Sequence, residues 1–254
     1  MDFTDKVVIV TGASSGIGAA TAVLYAKQSA KVVIVGRNET GLNKVAQQCE
    51  AAKGLKPLIV KADLTSDEDV KKIATRTIEI FGKIDVLVNN AGVGFRGSVR
   101  DGVELFDQAM ASNLRPAYLL TGLITQHLMK TKGNIVNVSS VAAFRPIKDL
   151  DFTPYCISKA GLDMFTKCVA LELARDGIRV NSVNPGGTKT PFVEAAGFTK
   201  QQAEEVFENR KTIYPLGKVC TTEEVAELIL YLSSEKARSI TGGIFVIDNG
   251  EILT

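Results

Sequence analysis

The sequence is poor in the residues from which most metal and redox centres are built. It holds one histidine, His127, and four cysteines, Cys49, Cys156, Cys168 and Cys220, at wide and irregular spacings. A multi-histidine metal site, or a zinc cluster built on C-x-x-C pairs, needs ligands that are not there, so no metal ligand is assigned. Such cysteines are expected to be reduced thiols of a cytoplasmic protein. An excess of one charge is lacking too: 30 Lys plus Arg against 28 Asp plus Glu leave +2, with no long basic run. That balance excludes the electrostatic footprint of a nucleic-acid binder. Apolar runs fall far short of the roughly 18 residues of a membrane span. The acidic start Met1-Asp2-Phe3-Thr4-Asp5 lacks the positive, then apolar, order of a secretory signal. The expectation is a soluble protein without a membrane span or a nucleic-acid partner.

What is present is an ordinary globular balance, 45% hydrophobic and 23% charged residues with 22 Gly and 7 Pro, which can bury a real core. Short β-branched runs recur at Val7–Val10, Val32–Val35, Leu58–Val60, Val86–Val88, Ile135–Val138, Ile178–Val183 and Ile244–Ile247. Their apolar character is continuous rather than alternating, as in strands covered on both faces of a parallel sheet. Helical periodicity fills 17–29, 39–52, 67–81, 103–130, 154–175 and 222–232. This alternation predicts an α/β fold, a doubly wound (Rossmann), mostly parallel seven-stranded sheet with helices on both faces. At 254 residues the chain could be one domain or two. No linker or repeat divides it, so 1–254 reads as a single domain. Residues 185–221 are too long for an ordinary connection, and loops of that size are usually functional.

After the first strand comes Thr11-Gly12-Ala13-Ser14-Ser15-Gly16-Ile17-Gly18, opening a helical run. A glycine-rich turn there lets the backbone approach a pyrophosphate, whose charge meets free N–H groups and the helix dipole. The spacing G-x-x-x-G-x-G matches the commoner dinucleotide fingerprint only approximately, and no Lys-Ser or Lys-Thr follows to make a P-loop. Five more groups sit just past strand ends: Gly36-Arg37, Asp63, Asn89-Asn90-Ala91-Gly92, Ser139-Ser140 and Asn184-Pro185-Gly186-Gly187. Ligands of open α/β sheets bind outside the carboxyl ends of the strands, so all six groups would line one rim. Tyr155 and Lys159 stand four apart on a helix starting near Thr153-Pro154. That spacing puts phenol and ammonium on one face, where the cation favours phenolate and lowers the tyrosine toward a general acid/base range.

From Lys6 through Asp248 the sequence resembles the short-chain dehydrogenase/reductase family. The matching residues are Gly12, Gly16 and Gly18, the run Asn89-Asn90-Ala91-Gly92, Asn113, Ser140, Tyr155 with Lys159, and Asn184-Pro185-Gly186. The resemblance implies an alcohol dehydrogenase or carbonyl reductase, with Tyr155 as general acid in reduction and base in oxidation. Lys159 would tune Tyr155 and hold the nicotinamide ribose, Ser140 would bond the substrate oxygen, and Asn113, inside the long fourth helix, would hold a relay water. Ser139 is adjacent, and only one of the two serines can point into the site.

The same resemblance implies cofactor contacts from Gly12, Ser14, Ser15, Gly16, Ile17 and Gly18, with Asp63 at the adenine amine and Asn89 near the adenosine ribose. Asn38, Leu64, Ala91, Gly92, Pro185, Gly186, Thr188 and Thr190 complete the expected set. Arg37 stands where an NAD-specific carboxylate would be and can pair with a 2′-phosphate, so NADP(H) is favoured over NAD(H). Ser14 and Ser15 argue the other way, because NADP-using relatives often carry a second basic residue there.

Three departures from the family pattern stand out. The loop 141–154, with Phe144 and Phe152, is longer than usual; Gly187-Thr188 replaces a short apolar step; and Asp248-Asn249-Gly250 replaces a double glycine, which Asn tolerates where φ is positive. Residues 188–214, with Pro191, Phe192, Phe198, Phe207 and Tyr214, would form a lid over a lipophilic, steroid-like or isoprenoid substrate. A 3-oxoacyl thioester or a xenobiotic carbonyl stays open as substrate, as does lid anchoring for the aromatics. Relatives assemble through the helices at 103–130 and 154–175, implying a homotetramer or homodimer. A non-catalytic nucleotide sensor would not need Asn113, Ser140, Tyr155 and Lys159 together.

Overall fold

A computed structural model of the chain describes residues 1–53, 55–147 and 151–254. The seven apolar runs become β1 (Val7–Thr11), β2 (Lys31–Gly36), β3 (Leu58–Lys61), β4 (Val86–Asn89), β5 (Asn134–Val138), β6 (Arg179–Pro185) and β7 (Ile244–Ile247). They form one sheet in the order β3-β2-β1-β4-β5-β6-β7. Every pairing is parallel, with Ile9 of β1 opposite Val33 on one side and Leu87 on the other. The order reverses between β1 and β4, which opens a crevice at their carboxyl ends.

Continuous apolar strands are explained by two cores. Val8, Val10, Ile34 and Val88 point to one face, against α1 (Gly16–Lys27), α2 (Glu39–Lys53) and α9 (Thr222–Ser233). Val7, Ile9, Val35 and Leu87 point to the other. There they meet α3 (Asp67–Phe81), α5 (Arg115–Thr131) and α6 (Thr153–Leu173). Local signals set the helix ends. Ser66 caps α3 by accepting from the Asp69 N–H, and Gly82 ends it at φ 72°. Thr221 and Glu224 close a capping box on α9.

The stretch 103–130, one helix by its periodicity, is two: α4 (Glu104–Asn113) and α5, parted at Leu114. Pro116 is the cause, since it has no N–H to donate and its ring crowds the preceding turn. Asn113 therefore ends α4 rather than lying inside a long helix. The segment after β6 holds α7 (Phe192–Ala195) and α8 (Lys200–Ile213), the latter capped by Thr199 and Gln202. Asn249 takes φ 57°, the conformation expected of it. Of the 141–154 loop, expected to be longer than usual, residues 148–150 lie outside those described. Among the described residues no helix is long and apolar enough to cross a membrane.

Candidate active site

A cleft of about 430 Å³ runs along the carboxyl rim from the glycine turn to α6 and the α7–α8 segment. At its start the backbone has no room for side chains. A Cβ on Gly12 would lie 2.8 Å from Ala91 Cα, and one on Gly18 would collide with the Gly12 carbonyl. Gly12 and Gly16 also adopt positive φ, 65° and 56°. The turn is held by Asn90, whose Nδ2 donates to the Thr11 carbonyl at 2.9 Å and the Gly12 carbonyl at 3.3 Å. Thr11 Oγ1 in turn accepts from the N–H groups of Asn90 and Ala91 at 3.0 and 3.1 Å. The result is a cradle at the start of α1 that any side chain would fill, which fits a dinucleotide pyrophosphate.

Gly12, Ser14, Ser15, Gly16 and Ile17 line this part of the cleft, and Arg37, Asn38, Asp63 and Leu64 line the next. Arg37 Nη1 stands 3.8 Å from Asp63 Oδ2, both side chains well exposed. Two Thr65 groups, its backbone N–H and its hydroxyl, hold the Asp63 carboxyl below its ordinary range. Ala91, Gly92, Pro185, Gly186, Thr188 and Thr190 lie farther along.

Ser140, Tyr155 and Lys159 converge at the far end. Lys159 is buried and donates from Nζ to the Val138 carbonyl at 2.9 Å. The ammonium is 5.7 Å from the Tyr155 ring centre. Burial pushes the Tyr155 phenol up to about 12, against the pull of the Ser140 hydroxyl. Burial also pulls Lys159 down to about 8, against the Asp163 charge. The expected lowering of Tyr155 by Lys159 is therefore overridden: desolvation dominates while the ammonium is engaged with a carbonyl. The two serines divide as their positions require. Ser139 Oγ donates to the Lys159 carbonyl at 3.1 Å, whereas Ser140 Oγ accepts from the Ala142 N–H at 3.1 Å and keeps its proton for another acceptor.

Three expected residues stand outside the cleft wall. Gly18 acts by leaving space for Gly12. Asn89 is buried and donates to Asn137 Oδ1 at 2.9 Å, so the rim position belongs to Asn90. Asn113 is buried behind the cleft, accepting from the Val93 N–H at 2.8 Å and donating to the Val93 carbonyl at 3.0 Å and Ser158 Oγ at 3.1 Å. Sequence reading missed Asn90 as the brace of the turn, and Arg210 and Glu251 as cleft residues. Asn90 was visible inside the Asn89-Asn90-Ala91-Gly92 run; the other two carry no local motif. Of the aromatics, Phe152 and Phe192 flank Tyr155 at ring distances of 5.9 and 5.3 Å. Phe198 packs under Arg96, Phe207 is buried, and Phe144 is half exposed.

A glycine cradle at a topological switch point and a Ser-Tyr-Lys cluster at the far end of one cleft define a nucleotide-dependent oxidoreductase. The sequence model of a family described as enoyl-(acyl carrier protein) reductase matches residues 12–251. The chain is 34% identical over 256 residues to the 3-oxoacyl-[acyl-carrier-protein] reductase of Thermotoga maritima, covering 100% of both chains. It is 36% identical over 265 residues to a 3beta-hydroxysteroid dehydrogenase of Mediterraneibacter gnavus, covering 98% of this chain and 95% of the other. A solved short-chain dehydrogenase/reductase of Caenorhabditis elegans superposes with a TM-score of 0.94 at 36% identity, covering 99% of this chain and 97% of that one. The chain belongs to the short-chain dehydrogenase/reductase family, whose members interconvert alcohols and carbonyls with NAD(P)(H).

Proposed function

We propose that the protein is an NADP(H)-dependent reductase of a bulky lipophilic carbonyl, steroid-like or isoprenoid, working reversibly on the corresponding alcohol. The observation that carries this reading is Tyr155: buried, protonated at neutral pH, and set between Phe152 and Phe192 at the end of the cleft that starts at the glycine cradle. The nicotinamide ring, when bound, supplies or takes up the hydride.

The remaining work falls to the chain itself. Tyr155 holds the proton that a reduced carbonyl oxygen must receive, and a high phenol pKa keeps that proton in place until charge develops on the oxygen. Ser140, whose hydroxyl faces the Tyr155 phenol, would turn its proton to the same oxygen. Lys159 would hold the nicotinamide ribose hydroxyls and replenish Tyr155. A Cβ on Gly92 would lie 3.2 Å from Lys159 Nζ and 3.5 Å from Asn113 Oδ1, so glycine lets the loop after β4 approach both, and Asn113 would hold the relay water that links Lys159 to solvent. Arg37, exposed at the other end, supplies the charge for a 2′-phosphate. Ser14, Ser15 and the backbone of the turn would meet the pyrophosphate.

Apolar burial supports the substrate class: Val141, Ile147, Phe192 and Val193 wall the reacting end. The likeness to an acyl-carrier-protein reductase supports a 3-oxoacyl thioester as a second reading. The outward faces of α4, α5 and α6 expose Phe106, Tyr118, Met164 and Leu171, which supports assembly as a homodimer or homotetramer. Free thiols at all four cysteines are compatible with a cytoplasmic home. A panel of steroid, isoprenoid, 3-oxoacyl and small ketones, each run with NADPH and NADH, tests the reading. Turnover of bulky apolar ketones with NADPH is the expected result; turnover confined to small polar ketones or to NADH would overturn it.

A further inference from the structure

Beneath the reacting residues lies an ionisable group that the mechanism above leaves unused. Asp163 is one helical turn beyond Lys159 on α6 and is 7% exposed. A carboxyl is rarely buried so deeply unless its charge and its lone pairs are met. Here β6 meets them. Asp163 Oδ2 accepts from Asn184 Nδ2 at 2.7 Å, and Oδ1 lies 3.0 Å from the Ser182 hydroxyl, whose single proton is shared with Asn184 Oδ1 at 2.7 Å. The second proton of Asn184 Nδ2 goes to the Ser140 carbonyl at 3.0 Å. Asp163 therefore reaches the site twice: it stands one turn from Lys159 on the same buried face of α6, outside the roughly 4 Å of an ion pair, and it reaches the backbone of Ser140 through one amide.

We propose that Asp163 is a positioning residue for the reaction: its buried carboxylate keeps Lys159 in the ammonium form and, through Asn184, fixes Ser140 beside Tyr155. The surroundings leave this task to Asp163 alone. Among the described residues, Lys159 has the titratable Tyr155 and Asp163 on its own helix. The neighbouring elements present to it the Val138 carbonyl from β5, Gly92 from the loop after β4 and the Asn113 carboxamide from α4, none of them ionisable. Among the described residues the Asp163 side is equally uncharged apart from Lys159, with Ser182 and Asn184 from β6 and Ser139 just after β5. Burial pulls the ammonium down, and the Asp163 charge opposes it. Reciprocally, burial pushes the Asp163 carboxyl up, while hydrogen bonds from Asn184, Ser139 and Ser182 and the Lys159 charge resist.

The proposal rests on the catalytic reading of Tyr155 and Lys159, and its test separates the two. Asp163→Asn keeps the shape and removes the charge. The Lys159 side-chain amine is followed by nitrogen-15 NMR in the cofactor-free protein, with Lys159→Met identifying its signal. Lys159 is expected to lose its proton about one pH unit lower in the variant. The basic limb of the carbonyl-reduction profile should move with it, about a tenfold loss at pH 9 against almost none at pH 6. An unchanged titration overturns the proposal. Should the variant not fold, the Asp163 carboxyl is titrated by carbon-13 NMR in the unaltered protein. Ionisation well below the Lys159 titration supports the proposal, and a carboxyl still protonated at pH 8 overturns it. These titrations need no turnover: an active Tyr155→Phe enzyme would remove the catalytic reading and leave the Asp163–Lys159 coupling measurable.

Discussion

At one end of the cleft Arg37 and Asp63 face each other at 3.8 Å with 66% and 43% of their side chains in solvent. At the other, Tyr155 and Lys159 are only 6% and 3% exposed. Charge near water is cheap to hold and weak in effect, because solvent and salt screen it. Buried charge costs the fold stability and shifts proton affinities strongly. On the proposed reading the wet end would select the cofactor, so that a substitution there changes preference, and the dry end would do the chemistry, so that a substitution there changes rate.

The comparison can be broken most severely at Tyr155. Tyr155→Phe should lower turnover by about 10³-fold while leaving nucleotide affinity, read by quenching of NADPH fluorescence, nearly intact. An active variant would remove the phenol from the mechanism. Lys159 offers a test of the cost of dryness. Its proton affinity is depressed from 10.5 to about 8 by burial, so at pH 7 the folded state bears a charged lysine at a cost of about 3 kcal/mol. The sign follows from proton counting: between pH 8 and 10.5 the unfolded chain binds the extra proton, and stability contributed by this group rises with pH across that window. Lys159→Met should therefore abolish turnover yet raise stability at pH 7 by about 1 to 3 kcal/mol, less whatever the lost bond to Val138 contributed. Urea unfolding at pH 7 and 9 measures both parts.

At the wet end the effects shrink. Arg37→Asp should move the NADPH to NADH preference by about tenfold in kcat/KM, and raising the ionic strength should erode the same preference in the unaltered protein. A preference insensitive to both would dissociate Arg37 from cofactor choice. The smallest effect belongs to the wall. Phe192→Ala should expose about 40 Å² of a bulky substrate, about 1 kcal/mol or roughly fivefold in KM, with small ketones unaffected. Equal effects on both would make Phe192 a support for the lid.

The sheet was legible in the sequence because strands buried on both faces spell themselves out as unbroken β-branched runs. The cradle was legible because Gly12, Gly16 and Gly18 have no substitute where a Cβ would collide. Tyr155 and Lys159 were legible through their spacing of four. What stayed hidden depended on contacts between distant segments. The Asp163–Asn184–Ser140 chain joins residues separated by 21 and 44 positions, and no local pattern encodes it. The tyrosine's raised proton affinity was hidden for a similar reason, since it comes from burial of the phenol by segments far apart in the chain. The break at Leu114 is a different case. Pro116 announced it, but apolar periodicity on both sides of the proline concealed it.

That break gives the molecule a joint. α4 packs against α6, next to the reacting residues, whereas α5 packs against α3 and sinks Leu120, Ile124 and Leu128 into the core. A single unbroken helix would have tied the position of Asn113 to the packing of Leu120, Ile124 and Leu128; the interruption at Leu114 lets the half before it seat on α6 and the half after it seat on α3, each against its own neighbour.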